Sequence, residues 1–328
     1  EPYCFSRRLY KYLKLHRANY DIIHDNQGLG WGMLKLQKKG FKLLTTIHHP
    51  ITSDLDIALN ACDDKWQRLF IRRWYTFLAM QKRVAAKLDH VVNVSKQSTK
   101  DIAKAFCLDE KNIHLVYNGI DTQVFKPMQG VRRDPWQIMA IASADQPLKG
   151  LRYLLLALSQ LVQQYPQLSL LLVSKPQEKG ETEQLIKRLN LAKHIQFVYG
   201  ISTNELVKHY AQSSIAIVPS VYEGFGLPAG EAMACAVPLI STNGGALPEV
   251  VGSAGVTVAI KDTAAMAAAI EDLLLNEKAR KRYAKLGRKR IEENFSWAQA
   301  AKEMAALYYK ILDDEAVSND ALFESAEV

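Results

Sequence analysis

The sequence predicts an α/β protein built from two doubly wound, parallel-sheet domains, and three observations carry that prediction. Short β-branched runs alternate with longer helical stretches along the chain. The runs are apolar almost throughout, which suits strands covered on both faces. A Pro-, Gly- and charge-rich interruption, KPMQGVRRDP at 126–135, divides the alternation into two sets. At 328 residues the chain is long enough for each set to bury its own core.

In the first set, DIIH (21–24), KLLTTI (42–47), HVVNV (90–94) and IHLVY (113–117) read as strands, with helical patterns near 28–39, 65–88 and 96–106. In the second, QIMAIA (137–142), LSLLLVS (168–174), IQFVYG (195–200), IAIVP (215–219), PLIST (238–242) and VTVAI (256–260) are the strands. Helices are expected near 150–165, 181–191, 203–212, 228–236, 263–275 and 277–294. The expected organisation is a domain over 1–133, a second over 134–294, a helix over 295–313 that packs back across the domains, and an acidic tail, 314–328, without structure. A doubly wound domain usually opens on a strand and a tight turn, yet residue 1 enters on a helix. The first strand or strands are therefore expected to be absent from this chain.

Apolar residues at 48% and charged residues at 23% exclude a disordered chain. No apolar run approaches the roughly 20 residues that span a bilayer, and the start lacks the apolar core of a signal peptide. Cys4, Cys62, Cys107 and Cys235 are scattered without a CxxC, which reads as free thiols in a reducing, cytoplasmic setting. Residues 1–134 hold 23 basic against 13 acidic side chains and the remainder 19 against 21, so the net charge of +8 divides as +10 and −2. The first half is thus expected to meet something anionic: nucleic acid, an acidic membrane surface or a phosphorylated ligand. No zinc-finger spacing, RNP signature or bZIP pattern supports nucleic acid. KWQRLFIRRWYTFLAMQKRVAAKL (65–88) interleaves Trp66, Phe70, Trp74 and Phe77 with Arg68, Arg72, Arg73, Lys82 and Arg83. That suits a helix on an anionic membrane surface, a stacking platform for sugar or nucleic-acid rings, or a core helix with a solvated basic face.

Chemistry is expected in the loops after the strands, where open parallel sheets bind ligands. After IAIVP comes SVYEGFGLPAGEAMA, with Glu223 and Glu231 on either side of a helix start. Pro228 suits a first helical turn, Gly224 and Gly226 let backbone pass close to a ligand, and free amides there attract phosphoryl oxygens. The carboxylates would take neutral hydroxyls flanking that phosphate. Capping alone also places glutamates before a Gly turn and in a first helical turn, so spacing by itself leaves both readings open.

E-G-F-G-L-P-x-x-E-A-M-A, with P-L-I-S-T-x-x-G-A-L-P-E-V-V downstream, resembles the signature of the retaining glycosyltransferases of family 4, or group 1. The resemblance covers the second half nearly end to end and the first half less specifically. It implies the GT-B fold, two Rossmann-like domains facing across a cleft, and hexosyl transfer from a UDP- or GDP-linked sugar with retention of configuration. The acceptor would be a glycan or a lipid-linked acceptor. No cofactor and no metal are expected, and an anionic membrane surface is a partner that the basic first half suggests. By the resemblance Glu231 holds the ribose, Glu223 the donor sugar, and Phe225, Gly226 and Leu227 line sugar and diphosphate with backbone. Lys149, in PLKG, contacts the diphosphate and stabilises the leaving group. Tyr199 falls at the base pocket. The family's arginine before that lysine is here Ala144, with Ser143 beside it, and a hydroxyl does not replace a guanidinium; Lys175 could supply the charge instead. The Gly-rich turn after the next strand is replaced by SKPQEKG (174–180).

In the first half His48 aligns with the family's strand-end histidine near the donor sugar, with His49 as the competing assignment. Asp25 and Asn26, ending the preceding strand, would face the acceptor. The family's Gly-rich loop after its first strand is missing from this sequence. The rival readings are a degenerate sugar-nucleotide-binding protein without turnover, a nucleotide-sugar epimerase or phosphorylase of the same fold, and a two-carboxylate glycoside hydrolase.

Overall fold

The computed structural model describes residues 2–324. The chain forms two compact units, one made of the residues up to Tyr117 and from Ala298 on, the other of Asn118–Trp297.

Unit 1 runs α1 (Pro2–Leu15), β1 (Ile23–Asn26), α2 (Trp31–Gln37), β2 (Leu43–Thr46), α3 (Thr52–Asn60), α4 (Lys65–Trp74), α5 (Leu78–Ala85), β3 (His90–Asn93), α6 (Lys96–Phe106) and β4 (Ile113–Leu115). Its four strands are all parallel and lie in chain order, β1-β2-β3-β4, with Asn26 beside Thr46. Leu29, Met33, Leu36, Ile47, Val84, Ile102 and Phe106 are fully buried at the centre of one core. Such apolar helix faces closing on a parallel sheet supply most of the unit's hydrophobic stabilisation.

Two helices depart from the sequence pattern. The single helix expected over 65–88 is two, α4 and α5, joined by a 3-10 turn at Tyr75–Phe77. Three residues of 3-10 helix advance the side-chain direction by about 60° more than three α-helical residues. That rotation lets α5 bury Leu78, Met80 and Val84 while α4 buries nothing fully. Helix α3 was not legible because it also buries no residue and carries no strong apolar stripe.

Unit 2 runs β5 (Asp134–Ile141), α7 (Leu151–Gln164), β6 (Ser169–Val173), α8 (Glu181–Arg188), β7 (Ile195–Val198), α9 (Thr203–Gln212), β8 (Ser213–Val218), α10 (Leu227–Ala234), β9 (Leu239–Thr242), α11 (Leu247–Val251), β10 (Val256–Val258), α12 (Thr263–Leu275) and α13 (Glu277–Asn294). All its strands are parallel, ordered β10-β9-β8-β5-β6-β7. The chain therefore builds outward from β5 on one side and returns to build outward from β8 on the other. The β5–β8 boundary is a topological switch point, where crossovers leave to opposite faces and open a crevice at the strand ends. A Leu- and Ile-rich core, including Leu154, Leu155, Leu158, Leu170 and Ile215, fixes the sheet beneath that crevice.

The last helix, α14 (Trp297–Glu324), continues past 313 into the acidic segment expected to be unstructured. The remaining residues of that segment, 325–328, lie outside the described residues. Leu307 and Ile311 of α14 pack on Leu44, Val92 and Val116, and Lys42 Nζ donates to the Ile311 carbonyl at 3.3 Å.

Candidate functional site

In unit 2 the loops after β5 and β8 are stitched together at the switch point. The β5 loop makes a 3-10 turn over Pro147–Lys149 and closes on Gly150, whose φ is +63°. A β-carbon on Gly150 would strike the Pro219 carbonyl, and the Val221 amide donates to the Leu148 carbonyl at 2.8 Å. This close approach brings Lys149 Nζ to 2.8 Å from Glu223 Oε1, and the Ser220 hydroxyl donates to the same oxygen at 2.8 Å. Two residues that the sequence assigned to neighbouring parts of a donor thus form one ion pair.

The loop after β9 seats Glu223 from behind. The Ala246 amide donates to the Glu223 carbonyl at 2.9 Å, and the Thr242 hydroxyl donates to the Ser220 carbonyl. Gly245, at φ +60°, lies so close that a β-carbon would fall on the Glu223 carbonyl. The sequence showed Gly245 as part of a motif, but not that it makes room for the glutamate's backbone.

Helix α10 begins at Gly226, whose φ of +100° only glycine adopts without strain, with Pro228 in its first turn. Glu231 lies one turn further in. The hydroxyl of fully buried Tyr210 is shared between the Pro228 carbonyl at 3.2 Å and Glu231 Oε2 at 3.4 Å. Burial raises the Glu231 pKa, an effect the Tyr210 hydrogen bond partly offsets. Burial, with Glu231 nearby, pushes the Cys235 thiol up to about 12, so that sulfur stays protonated and inert. Tyr210 was missed in the sequence, where a tyrosine on an amphipathic helix reads as ordinary core.

The other unit 2 candidates separate. Phe225 is buried edge-on against Phe295, their ring centres 5.7 Å apart, so its backbone and not its ring is what the loop presents. Leu227 is exposed beside it. Ser143 is exposed on the β5 loop. Ala144 is buried, its amide donating to the Ser174 hydroxyl at 2.8 Å, so the arginine slot is closed and packed. Tyr199 is exposed beyond the edge strand β7, with β6 between that strand and β5.

In unit 1 the ends of β1 and β2 are joined by side-chain hydrogen bonds. His48 Nε2 donates to Asn26 Oδ1 at 2.6 Å, which fixes the tautomer and leaves Nδ1 as the acceptor nitrogen. Gln27, at φ +55°, works as a strap: its oxygen accepts from the His48 amide at 2.8 Å and its nitrogen donates to the His49 carbonyl at 2.9 Å. Desolvation lowers the His48 pKa, and His49 lowers it further. Asp25 faces its own loop, accepting from the amides of Gly28 at 3.2 Å and Leu29 at 3.0 Å. Burial raises its pKa against the pull of those two amides. His49 is paired with Asp54 at 3.2 Å. His24, on the same strand, is hydrogen-bonded to Thr46 and to Tyr308 of α14, each at 2.6 Å. Among the described residues no group of three or more His, Cys, Asp or Glu is placed to hold a metal ion.

The comparisons with known proteins give the family and the fold. A family described as "Glycosyl transferases group 1" matches residues 125–290, and one described as "Glycosyltransferase Family 4" matches residues 2–124. The chain is 40% identical over 315 residues to the MMP alpha-(1->4)-mannosyltransferase of Mycolicibacterium hassiacum, covering 95% of this chain and 76% of the relative. It is 27% identical over 317 residues to D-inositol 3-phosphate glycosyltransferase 2 of Catenulispora acidiphila, covering 90% and 72%. Of solved structures, sucrose-phosphate synthase from Thermosynechococcus elongatus superposes with a TM-score of 0.78 at 25% identity, over 94% of this chain and 78% of that one. HepE of Anabaena, crystallised with UDP-glucose, shares the fold at a TM-score of 0.74 and 18% identity, over 93% and 82%. The two parallel-sheet units are the Rossmann-like domains of a GT-B protein.

Proposed function

The chain belongs to the group 1 glycosyltransferases, and we propose that it moves a hexosyl group from a nucleoside diphosphate sugar, UDP- or GDP-linked, to a glycan or lipid-linked glycan acceptor with retention of configuration. The observation that carries the proposal is the Lys149–Glu223 pair at the switch point of unit 2. The Lys149 ammonium meets the diphosphate and stabilises the negative charge that develops as it leaves the anomeric carbon. Glu223 then exchanges its lysine partner for a hydroxyl of the donor sugar. Glu231, held by Tyr210, accepts from the ribose hydroxyls, and the backbone of Phe225, Gly226 and Leu227 lies along sugar and phosphate. His48, neutral and fixed by Asn26, offers a hydrogen-bonding nitrogen to the transferred sugar, and unit 1 takes the acceptor. Because no carboxylate is assigned as nucleophile, the leaving phosphate accepts the acceptor's proton on the same face. Mannose is the hexose favoured, since the relative at 40% identity is named for mannosyl transfer and for an α-linked product. Four unbonded cysteines support a cytoplasmic setting.

A second reading, a sugar-nucleotide-binding protein without turnover, is favoured by the packed alanine in the arginine slot. One assay separates the two. The protein is incubated with radiolabelled GDP-mannose and UDP-glucose, glycan and lipid-linked acceptors, and EDTA, and the product's anomeric configuration is read by NMR. Labelled product of retained configuration, formed in EDTA and lost in Lys149→Ala, supports transfer. Tight donor binding with no product supports the second reading. An inverted product, or transfer abolished by EDTA, overturns the mechanism above.

A further inference from the structure

Helix α4 turns its large aromatic rings outward. Trp66, Phe70 and Trp74, four residues apart and hence on one face, are 72%, 67% and 76% exposed. The side turned inward carries Arg68, whose guanidinium donates to the Leu59 carbonyl and, at 2.9 Å, to the Cys62 carbonyl. A helix folded for water alone puts its aromatics inward and its arginines outward. Here three large rings stay in solvent on a helix that buries no residue fully.

Within the helix that carries those rings every charge is positive, while the exposed Asp63 and its N-cap Asp64 lie just before it. Lys65 and Arg73 are exposed next to Trp66 and Trp74, Arg72 is exposed further round the helix, and α4 contains no acidic residue. The same chemistry continues on α1, where the Tyr3 hydroxyl donates to the Thr76 carbonyl at 3.4 Å, just past the end of α4. Tyr3 and Phe5 are 47% and 49% exposed, and α1 too has no acid. Together α1 and α4 hold eight basic residues and no acidic one.

We propose that this face of unit 1, α4 with the start of α1, docks on an anionic lipid bilayer. The Trp66 and Trp74 indoles sit at the headgroup level, Phe70 reaches the acyl boundary, and Lys65, Arg72 and Arg73 meet lipid phosphates. Charge complementarity selects this occupant. A second copy would set two basic faces against each other, and a neutral glycan would use the rings but leave the cations without a role. No helix among the described residues is long and apolar enough to cross a membrane, so the attachment is interfacial. The proposal stands apart from the transferase reading, because it concerns lipid and not donor.

The test is co-sedimentation of the protein with vesicles of phosphatidylcholine alone or mixed with phosphatidylglycerol, together with tryptophan emission. The expected result is binding to the mixed vesicles, weakened by salt, with a blue-shifted emission. Arg72→Glu with Arg73→Glu should weaken it by about tenfold or more. Trp66→Ala with Phe70→Ala and Trp74→Ala should do likewise while melting as the parent protein does, since these rings lie outside the core. Equal affinity for neutral vesicles, absence of binding, or binding untouched by both variants overturns the proposal. So does dimerisation, or a blue shift produced by a soluble neutral oligosaccharide, that the triple variant abolishes.

Discussion

The strand ends of the two units solve the same problem with different chemistry. In unit 1, β1 and β2 are neighbours in chain order, and their loops are tied by neutral groups: Asn26 to His48, and Gln27 to the backbone of 48 and 49. In unit 2, β5 and β8 meet at a reversal of strand order, and their loops are tied by an ion pair, Lys149 to Glu223. An ammonium at a crevice meets a phosphate directly, whereas amides and a neutral imidazole meet hydroxyls without holding a charge against them. The contrast teaches that the two loops at the crevice are joined through charge, whereas those of β1 and β2 are joined through neutral hydrogen bonds.

The largest expected effect breaks the comparison outright if it fails. Lys149→Ala should lower the transfer rate by about 10²- to 10³-fold, the loss typical of one preorganised charge-stabilising group, with thermal melting unchanged. A full rate in that variant would leave unit 2 without its electrostatic role. Next, Gly245→Ala forces a side chain into left-handed backbone and onto the Glu223 carbonyl. It should cost about 1–3 kcal/mol of stability and weaken donor binding about tenfold. Gly130→Ala, at φ +74° with open space around it, isolates the backbone strain alone, and denaturant melts of the two separate them.

Glu223→Gln sharpens the contrast. Transfer should fall, yet free nucleoside diphosphate should bind several-fold tighter by calorimetry, because Lys149 no longer gives up a carboxylate to meet it. Unchanged diphosphate affinity would mean that the two never compete. The smallest effect concerns unit 1. Desolvation and His49 hold the His48 pKa below its ordinary 6.5, so the ring stays neutral until the pH falls below that value. An acid limb in the rate profile should therefore lie lower than for a free histidine. In Gln27→Ala, where the loop is released and hydrated, the limb should move upward. NMR titration of His48 in both proteins checks it.

Much of the fold was legible because buried parallel strands are apolar runs whatever their partners. Each of the ten strands among the described residues overlaps a run read from the sequence. Helix α3 and the break before α5 escaped because they bury little or change their buried face, which periodicity does not report, and α11 escaped because five residues are too short to show a period. Part of the site was beyond reach for a different reason. Gln27, Tyr210 and Gly245 act by seating His48, Glu231 and Glu223, and nothing in their own neighbourhood of sequence names the residue they seat. Ala144 was visible as a departure from the family pattern, but not as a packed position tied to Ser174.

By itself the sequence determined residue chemistry and local periodicity: which runs become strands, which turn needs glycine, which acids flank a helix start. Those properties follow from side-chain size, polarity and backbone freedom within a few residues. Tertiary structure alone decided that Lys149 and Glu223, 74 residues apart, share a hydrogen bond, and that three aromatic rings of α4 face outward. Such outcomes depend on strand order and on how the core fills, which are properties of the whole packed chain.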